Sequence, residues 1–378
     1  MIIMALDHVR DFVHAGAMSF SPTDLARTTP ALFFTRWVTH FCAPVFMFTA
    51  GIGAFLWWHG KRTRPELSRF LWTRGLWLIL LELTVMRLSY NFSFSLRYPI
   101  LLVVLWVLGA CMIALAALAW LPTSVLAALS IATIVLHNLL DGVNAARFGA
   151  AAPLWNVLHQ VGGFRVGSAL VIVAYPVVPW VGVIAAGFCF GRILLLEPAA
   201  RRRILRIAGL ALTAAFLVVR AIDRYGDPAP WSAQRSAVFT VLSFLNCTKY
   251  PPSLDFLLMT LGPALLALAW LDGRRLHPEH PVIVFGRVPL FYFVLHFYAA
   301  HLAAAALACV RYGASALRFL GGPLPSMGGA RKLFPPDFGY DLWVVYAVWA
   351  GIVLAIYPLC RWFARLKAAR RSWWLSYL

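Results

Sequence analysis

The sequence predicts an all-α, polytopic transmembrane helix bundle of about ten helices, and three observations support this class. Of the 378 residues, 62% are hydrophobic and 12% charged, whereas an ordinary soluble domain is nearer half apolar and a quarter charged. Apolar runs of about 20 residues, long enough for a helix to cross a bilayer, recur from end to end. Basic residues lie in the short breaks between these runs. We therefore expect a single integral membrane domain over residues 1–378, in contact with the lipid bilayer.

Each apolar run corresponds to one predicted helix. The runs of spanning length are residues 31–58, 70–90, 99–120, 170–195, 207–222, 252–271, 282–310 and 342–364. Residues 125–140 are shorter, but no charge interrupts them before Asp141, so they count as a ninth helix. Residues 1–14 form a tenth, which reaches only about 21 Å and meets Asp7 early. We interpret it as the outer part of a helix whose beginning is missing from this chain.

The distribution of lysine and arginine predicts that both termini are cytoplasmic. With that orientation the inner loops hold 14 basic residues in 47 positions, and the outer loops hold 11 in 112. Clusters such as Lys61–Arg64 and Arg201–Arg203 then lie inside, as the positive-inside rule requires. Ten crossings agree with this orientation, since ten is even.

Composition and spacing argue against three kinds of site. The net charge of +19 is explained by topology, so we predict no nucleic-acid partner. Five of the six cysteines lie within apolar segments and only Cys247 lies in a loop, so no disulfide framework is indicated. The histidines show neither an HxxxH nor an HExxH spacing, and we predict no metal.

Ionisable residues inside predicted membrane helices are costly and are therefore candidates for function. In the segment DHVRD, Asp7, His8 and Asp11 share one helical face near the outer end of the first helix, because they are three or four residues apart. We predict that these three are catalytic. The alternative is an interfacial helix end in which Asp7 pairs with Arg10.

A second pair, Arg36 and His40, lies one turn apart on the second predicted helix. His40 lies roughly 13 Å below the outer surface. A buried arginine needs a carboxylate partner, and Asp7 or Asp11 on the neighbouring helix is the candidate. We predict that Arg36 and His40 also belong to the catalytic site.

The remaining buried charges are biased towards the outer half of the membrane. The candidates for substrate binding there are His137, Asp141, Lys249, Asp255 and His296. His296 and His301 diverge by about 140° around their helix, so we expect His296 to face the interior.

Glu82 and Arg87 are five residues apart, and an ion network between helices explains them as well as catalysis does. The inner half holds Arg74, Arg192 and Arg287.

Several motifs resemble those of a bacterial family of multi-pass membrane proteins related to the catalytic domain of heparan-alpha-glucosaminide N-acetyltransferase. They are MALDHVRDF, TTPALFFTRWVTHFCAPVFMFTAG, TKYPPSLDFLLMTLGPALL, HPVIVFGRVPLFYFVLHFYAAHL and the final WWLSYL. The link to the acetyltransferase itself rests mainly on HFCAPVFMFTAG, which aligns without gaps. The resemblance implies acyl transfer across the bacterial cytoplasmic (inner) membrane, with acyl-CoA bound from the cytosol and the acceptor on the other side.

The resemblance also implies a catalytic histidine in the first non-cytoplasmic loop. His14 is the only histidine in that region, and Asp24 is an alternative polar group. The sequence departs from the acetyltransferase at two positions, because an asparagine of that enzyme falls on His8 and an aspartate falls on His40.

Together these observations predict a membrane-embedded acyltransferase. It would move an acyl group, most simply acetyl, from cytosolic acyl-CoA as co-substrate to a hydroxyl or amine of a small-molecule or glycan acceptor. His8 or His40 would be the general base, oriented by Asp7 or Asp11. The arginines of the inner half, namely Arg74, Arg192 and Arg287, would meet the phosphates of CoA.

The alternative is a proton-coupled transporter or another solute-pathway membrane protein. Its path would use buried polar residues, namely Asp7, His8, Arg36, Glu82 and His137. Such a path requires polar groups through the whole depth of the membrane, whereas the candidates here are concentrated in its outer half.

Overall fold

A computed structural model describes residues 1–378 except 275, 321, 328, 371, 373–374 and 376–378, and it describes residues 317–318 without their side chains. Most of the WWLSYL motif therefore lies outside the described residues. The helices are α1 Ile2–Val13, α2 Pro30–Trp37, α3 Cys42–His59, α4 Arg64–Leu81, α5 Arg87–Asn91, α6 Val104–Leu118, α7 Thr123–Leu136, α8 Ala152–Leu158, α9 Trp180–Phe190, α10 Pro198–Ile222, α11 Ala237–Leu245, α12 Leu254–Leu271, α13 Pro281–Arg287, α14 Pro289–Tyr312, α15 Leu317–Leu320 and α16 Leu342–Ala369. The strands are β1 Ile100–Leu102, β2 Gly162–Val166 and β3 Ala169–Val173.

The predicted class, an all-α polytopic membrane protein, is confirmed. Six helical segments of the described chain are long and apolar enough to cross a membrane: Pro30–His59, Thr123–Leu140, Pro198–Ile222, Leu254–Leu271, Pro289–Ala316 and Leu342–Ala369. Val104–Leu118 and Trp180–Leu195 are apolar but shorter. Helices α1 and α4 account for the other two predicted segments.

A small sheet replaces the beginnings of two predicted helices. The strands lie in the order β1-β3-β2, with β1 parallel and β2 antiparallel to β3. The predicted helices 99–120 and 170–195 consequently begin later, at Val104 and Trp180. Apolar strands and apolar helices have similar hydropathy, so the sequence pattern did not separate them. Two prolines just before Trp180 also oppose an earlier helix start.

Close helix contacts occur where glycines face a neighbouring backbone. On α3, a Cβ atom at Gly51 would lie 2.0 Å from the carbonyl oxygen of Ile184 on α9. On α9, a Cβ atom at Gly187 would lie 2.0 Å from the carbonyl oxygen of Phe48 on α3. Small residues allow this backbone approach between membrane helices. Gly75 on α4 and Gly109 on α6 face each other in the same way.

The single helix predicted over residues 282–310 is divided at a proline. Residues 282–310 form α13 and α14, separated at Val288, whose φ of −130° and ψ of 51° are not helical. The break lies directly before Pro289, which has no backbone N–H to continue the helix. Beyond this break, α14 packs against α1 and α16, which brings the beginning and the end of the chain together.

Candidate functional site

A cavity of about 420 Å³ brings together five of the predicted site residues. Its walls come from α1, the α2–α3 segment, the sheet, α14 and the loop before α12. The polar side chains that line it are Asp7, His8, Asp11, Arg36, Thr39, Tyr90, Tyr175, Lys249, Tyr250 and Ser326. A cavity of this size, apolar apart from a few converging polar groups, is typical of a small-molecule site. We call it the outer cavity.

Ion pairs fix the carboxylates on α1. Arg36 pairs with one oxygen of Asp7, which confirms the expected partner of this buried arginine. Arg10 donates to the other oxygen of Asp7 at 3.0 Å and to Asp11 at 2.6 Å. Because both oxygens of the buried Asp7 are occupied, Asp7 positions Arg36 and leaves Asp11 as the carboxylate beside His8.

Among the histidines of the described residues, His8 is the one that lines the outer cavity. Its side chain is 21% exposed, and its Nδ1 atom lies 3.7 Å from the Oδ2 atom of Asp11. The ring packs on Phe297, with 3.9 Å between ring centroids, and His296 lies behind it at 5.2 Å. The geometry suits a base that faces a substrate and has a carboxylate at its side.

The other predicted histidines lie outside the outer cavity. His40 is 3% exposed and its ring packs on Phe256. The Nδ1 atom of His14 accepts a hydrogen bond from the backbone of Gly16 at 3.1 Å. Burial, and to a smaller extent the charge of Arg10, lowers the pKa of His14. The Nδ1 atom of His296 lies 2.9 Å from the carbonyl oxygen of Tyr292, one turn earlier in the same helix.

Three predicted substrate residues also lie elsewhere. His137 and Asp141 lie beside His159, away from the outer cavity. Asp255 is buried, 3.8 Å from Arg220. Arg220 also donates to four backbone carbonyl oxygens, two at the end of α11 and two in the loops on either side of it, so Asp255 and Arg220 help to fix the segment that leads to α12.

The loop before α12 contributes an ammonium group, that of Lys249, and a phenol hydroxyl group, that of Tyr250, to the outer cavity. Lys249 was predicted to bind substrate, and its side chain does line the cavity. Asp227 holds the loop by accepting hydrogen bonds from Thr248 and Ser253. Tyr250 accepts a hydrogen bond from Arg36 at 3.3 Å. Sequence reasoning missed Tyr250, for which the KYPP motif at the mouth of α12 was the available signal.

The ionisation of Tyr250 is shifted by its neighbours. Burial by itself raises the pKa of Tyr250, but Lys249 and Arg36 outweigh it and lower that pKa to about 8. The hydroxyl of Tyr175 lies 3.5 Å away, and burial together with Tyr250 raises the pKa of Tyr175 well above its usual value. Tyr250 is therefore the first of the two to ionise as pH rises.

Glu82 positions the wall of the outer cavity. The buried carboxylate accepts hydrogen bonds from the backbone of Leu105 at 2.8 Å and Trp106 at 3.1 Å, so it caps α6. It also accepts from the hydroxyl of Tyr90 at 2.9 Å, and Tyr90 lines the cavity. Arg87 instead donates to the carbonyl oxygen of Ser95, so the ion network considered between Glu82 and Arg87 is not formed by these two.

A second cavity of about 340 Å³ adjoins the outer one and shares Phe46 with it. Of the arginines predicted for CoA, Arg74 lines this inner cavity. Arg192 and Arg287 are exposed and lie outside both cavities. The two cavities together extend from the predicted catalytic residues towards the predicted cytoplasmic side.

Ligand atoms of Asp7, His8 and Asp11 lie within 4.8 Å of one another, a spacing that a metal ion could use. Arg10 and Arg36 contact these carboxylates, so most of their negative charge is already balanced. A divalent cation here would have to compete with two guanidinium groups. The donor set therefore fits an ion-paired site better than a metal centre.

Comparison with known proteins gives one family match. Residues 2–222 match the family model described as heparan-alpha-glucosaminide N-acetyltransferase, catalytic. This range includes the α1 and α2 site residues and Arg74, whereas Lys249 and Tyr250 lie beyond it. No match was found among curated proteins or solved structures. The match covers more than half of the chain, and the protein is an integral membrane member of the heparan-alpha-glucosaminide N-acetyltransferase catalytic family.

Proposed function

We propose that the protein is a membrane acyltransferase of the bacterial inner membrane. It transfers an acyl group, most simply acetyl, from cytosolic acyl-CoA to a hydroxyl or amine of an acceptor on the non-cytoplasmic side. The outer cavity is the main support, because it places a histidine, a carboxylate and three possible oxyanion donors around one space. Since that cavity also uses residues beyond 222, we propose that residues 1–378 act as one membrane domain.

In this mechanism His8 removes the proton from the acceptor as it attacks the thioester carbonyl carbon. Asp11, 3.7 Å away, stabilises the imidazolium that forms. The C–S bond then breaks, and the CoA thiolate leaves with the proton that His8 returns. Arg36, Lys249 and Tyr250 are the candidates to stabilise the oxyanion of the tetrahedral intermediate.

The inner cavity is the proposed route of the acyl-CoA donor. Arg74 would meet a phosphate of CoA, and the apolar lining would accommodate the pantetheine arm. Phe46 lines both cavities and therefore lies where they adjoin. The acyl end would therefore have to pass Phe46 to reach the base.

Gly53→Leu tests the donor route. Gly53 lines the inner cavity, and a Cβ atom there meets nothing within 4 Å, so a side chain can begin at this position without a clash at its Cβ atom. We expect the KM for acyl-CoA to rise about 10-fold with little change in stability. Gly351→Leu is the matched control, because Gly351 also lies in a membrane helix with open space around it. Equal KM values in both variants would remove the inner cavity from the route.

Tyr250→Phe tests the proposed oxyanion donors. With a pKa of about 8, the hydroxyl donates a hydrogen bond below that pH and is lost as a donor above it. The wild-type rate should therefore fall as pH rises through about 8. The phenylalanine variant should be about 10-fold slower, as expected for one lost hydrogen bond, and should lose this alkaline decline. An unchanged pH profile in the variant would assign the decline to another group.

The proposal as a whole is tested with purified protein in liposomes. Labelled acetyl-CoA is supplied on one side and a panel of sugars, lipids and amines on the other. Acylated acceptor, formed only with active protein, supports the acyltransferase. Proton-coupled solute uptake without acyl-CoA, together with no acyl transfer to any acceptor and no acyl-CoA hydrolysis, would favour the transporter instead.

A further inference from the structure

A cluster near the end of α7, away from the outer cavity, contains two histidines and a carboxylate. His137 and Asp141 lie at the outer end of α7, and His159 follows α8. One ligand atom from each of the three lies within 4.8 Å of the other two. The histidines are 22 residues apart, a spacing that no metal motif in the sequence revealed.

The burial of His137 is a second observation that points to a bound ligand. His137 is 3% exposed, and among the described residues neither of its ring nitrogens has a hydrogen-bond partner. A buried polar group without a partner costs free energy. The rings of His137 and His159 lie 5.7 Å apart, and Asp141 approaches His159 to 4.0 Å. The unpartnered imidazole therefore lies beside two further groups that bind metals.

We propose that His137, Asp141 and His159 bind a divalent transition-metal ion, with zinc as the best match. Two imidazoles and one carboxylate are a common zinc donor set. Tetrahedral bonds of about 2.1 Å place ligand atoms about 3.4 Å apart, so a side-chain movement of about 1 Å closes the site. No arginine or lysine pairs with Asp141 in the described part of the chain, in contrast to the carboxylates on α1.

Hydrogen bonds from outside the cluster already orient its carboxylate. The side chain of Asn138 donates to Asp141 at 2.7 Å, and its oxygen accepts from the backbone of Leu254 at 2.9 Å. The Nε2 atom of His159 lies 3.0 Å from the carbonyl oxygen of His137 and 4.0 Å from the Oδ1 atom of Asp141, so the nitrogen that faces the carboxylate would exchange its contact with the carbonyl oxygen for the ion. Residues that hold a metal-binding side chain in place, as Asn138 holds Asp141, are typical of protein metal sites. The ion would join the outer end of α7 to α8 and, through Asn138, to the start of α12.

The test uses protein without a polyhistidine tag, washed with a chelator and titrated with Zn²⁺ or Co²⁺ in detergent. We expect one equivalent of Zn²⁺ per chain, visible-region absorption from bound Co²⁺, and a rise in melting temperature of about 3 °C or more. Asp141→Asn and His159→Gln should each weaken binding by about 100-fold or more. Asp141 is partly exposed, so its asparagine variant should fold.

The control variant is His277→Gln combined with His280→Gln, which removes two exposed histidines between α12 and α13. It should keep the full affinity. Absence of stoichiometric binding by the wild-type protein would overturn the proposal. Equal binding by Asp141→Asn and the wild-type protein would do the same. Because these readouts measure metal and stability, they are independent of acyl transfer.

Discussion

Replacing His8 with glutamine should lower the rate of acyl transfer by about 100-fold to 10⁴-fold, the usual contribution of a general base. His8 lines the outer cavity beside Asp11, and glutamine keeps a polar side chain without a titratable ring. The measurement is single-turnover transfer from acetyl-CoA, which separates chemistry from product release. The KM for acyl-CoA should change little, because His8 does not line the inner cavity.

Two histidine variants provide the comparison for His8→Gln. His14→Gln changes the histidine that the family resemblance implies as catalytic, and His40→Gln changes the buried histidine on the α2–α3 segment. Both residues lie outside the outer cavity, so we expect each variant to retain much more activity than His8→Gln. Full activity of His8→Gln combined with loss in His14→Gln would move the catalytic base to the loop after α1.

Replacing Asp7 with alanine should cost about 3–5 kcal/mol of stability, because it leaves a buried arginine without its partner. Asp7 is 5% exposed and pairs with both Arg36 and Arg10. Arg10 retains Asp11 at 2.6 Å, so Arg36 carries most of the penalty. The measurement is the free energy of unfolding in detergent micelles, followed with a spectroscopic probe of helix content.

The double variant Asp7→Ala with Arg36→Met separates charge from packing. It removes both members of the ion pair, so it should recover most of the stability lost in Asp7→Ala. Activity should remain low, because Arg36 is also a candidate oxyanion donor. A double variant as unstable as Asp7→Ala would show that the cavity left by the aspartate, rather than the unpaired arginine, causes the loss.

The helical class and most of the spanning segments could be predicted from hydropathy alone, since length and apolar content decide which runs can cross a bilayer. The pairing of Arg36 with Asp7 could also be predicted, because a buried guanidinium requires a counter-charge. The sheet could not, since Ile100–Leu102 and Ala169–Val173 are as apolar as the helices that follow them.

The assembly of the site depended on contacts between distant residues. The loop carrying Lys249 and Tyr250 folds over α1, and no local pattern specifies that approach. Glu82 provides a second example, because its partners on α6 are backbone amides, which leave no trace in the sequence. His40 shows the opposite case: depth on a helix suggested function, but its face turns towards Phe256 instead of the cavity.

The glycine contacts divide the bundle by how freely its helices can move. Helices α3 and α9 meet backbone to backbone, so they cannot slide without a collision, and they form a fixed frame that carries Arg36 through α2. Helices α1, α14 and α16 meet through side chains such as Phe12 on His301, which permit small shear. His8 and Asp7 therefore belong to the movable side. The ion pair between Asp7 and Arg36 joins the two parts, so opening of the outer cavity for an acceptor should stretch that pair first.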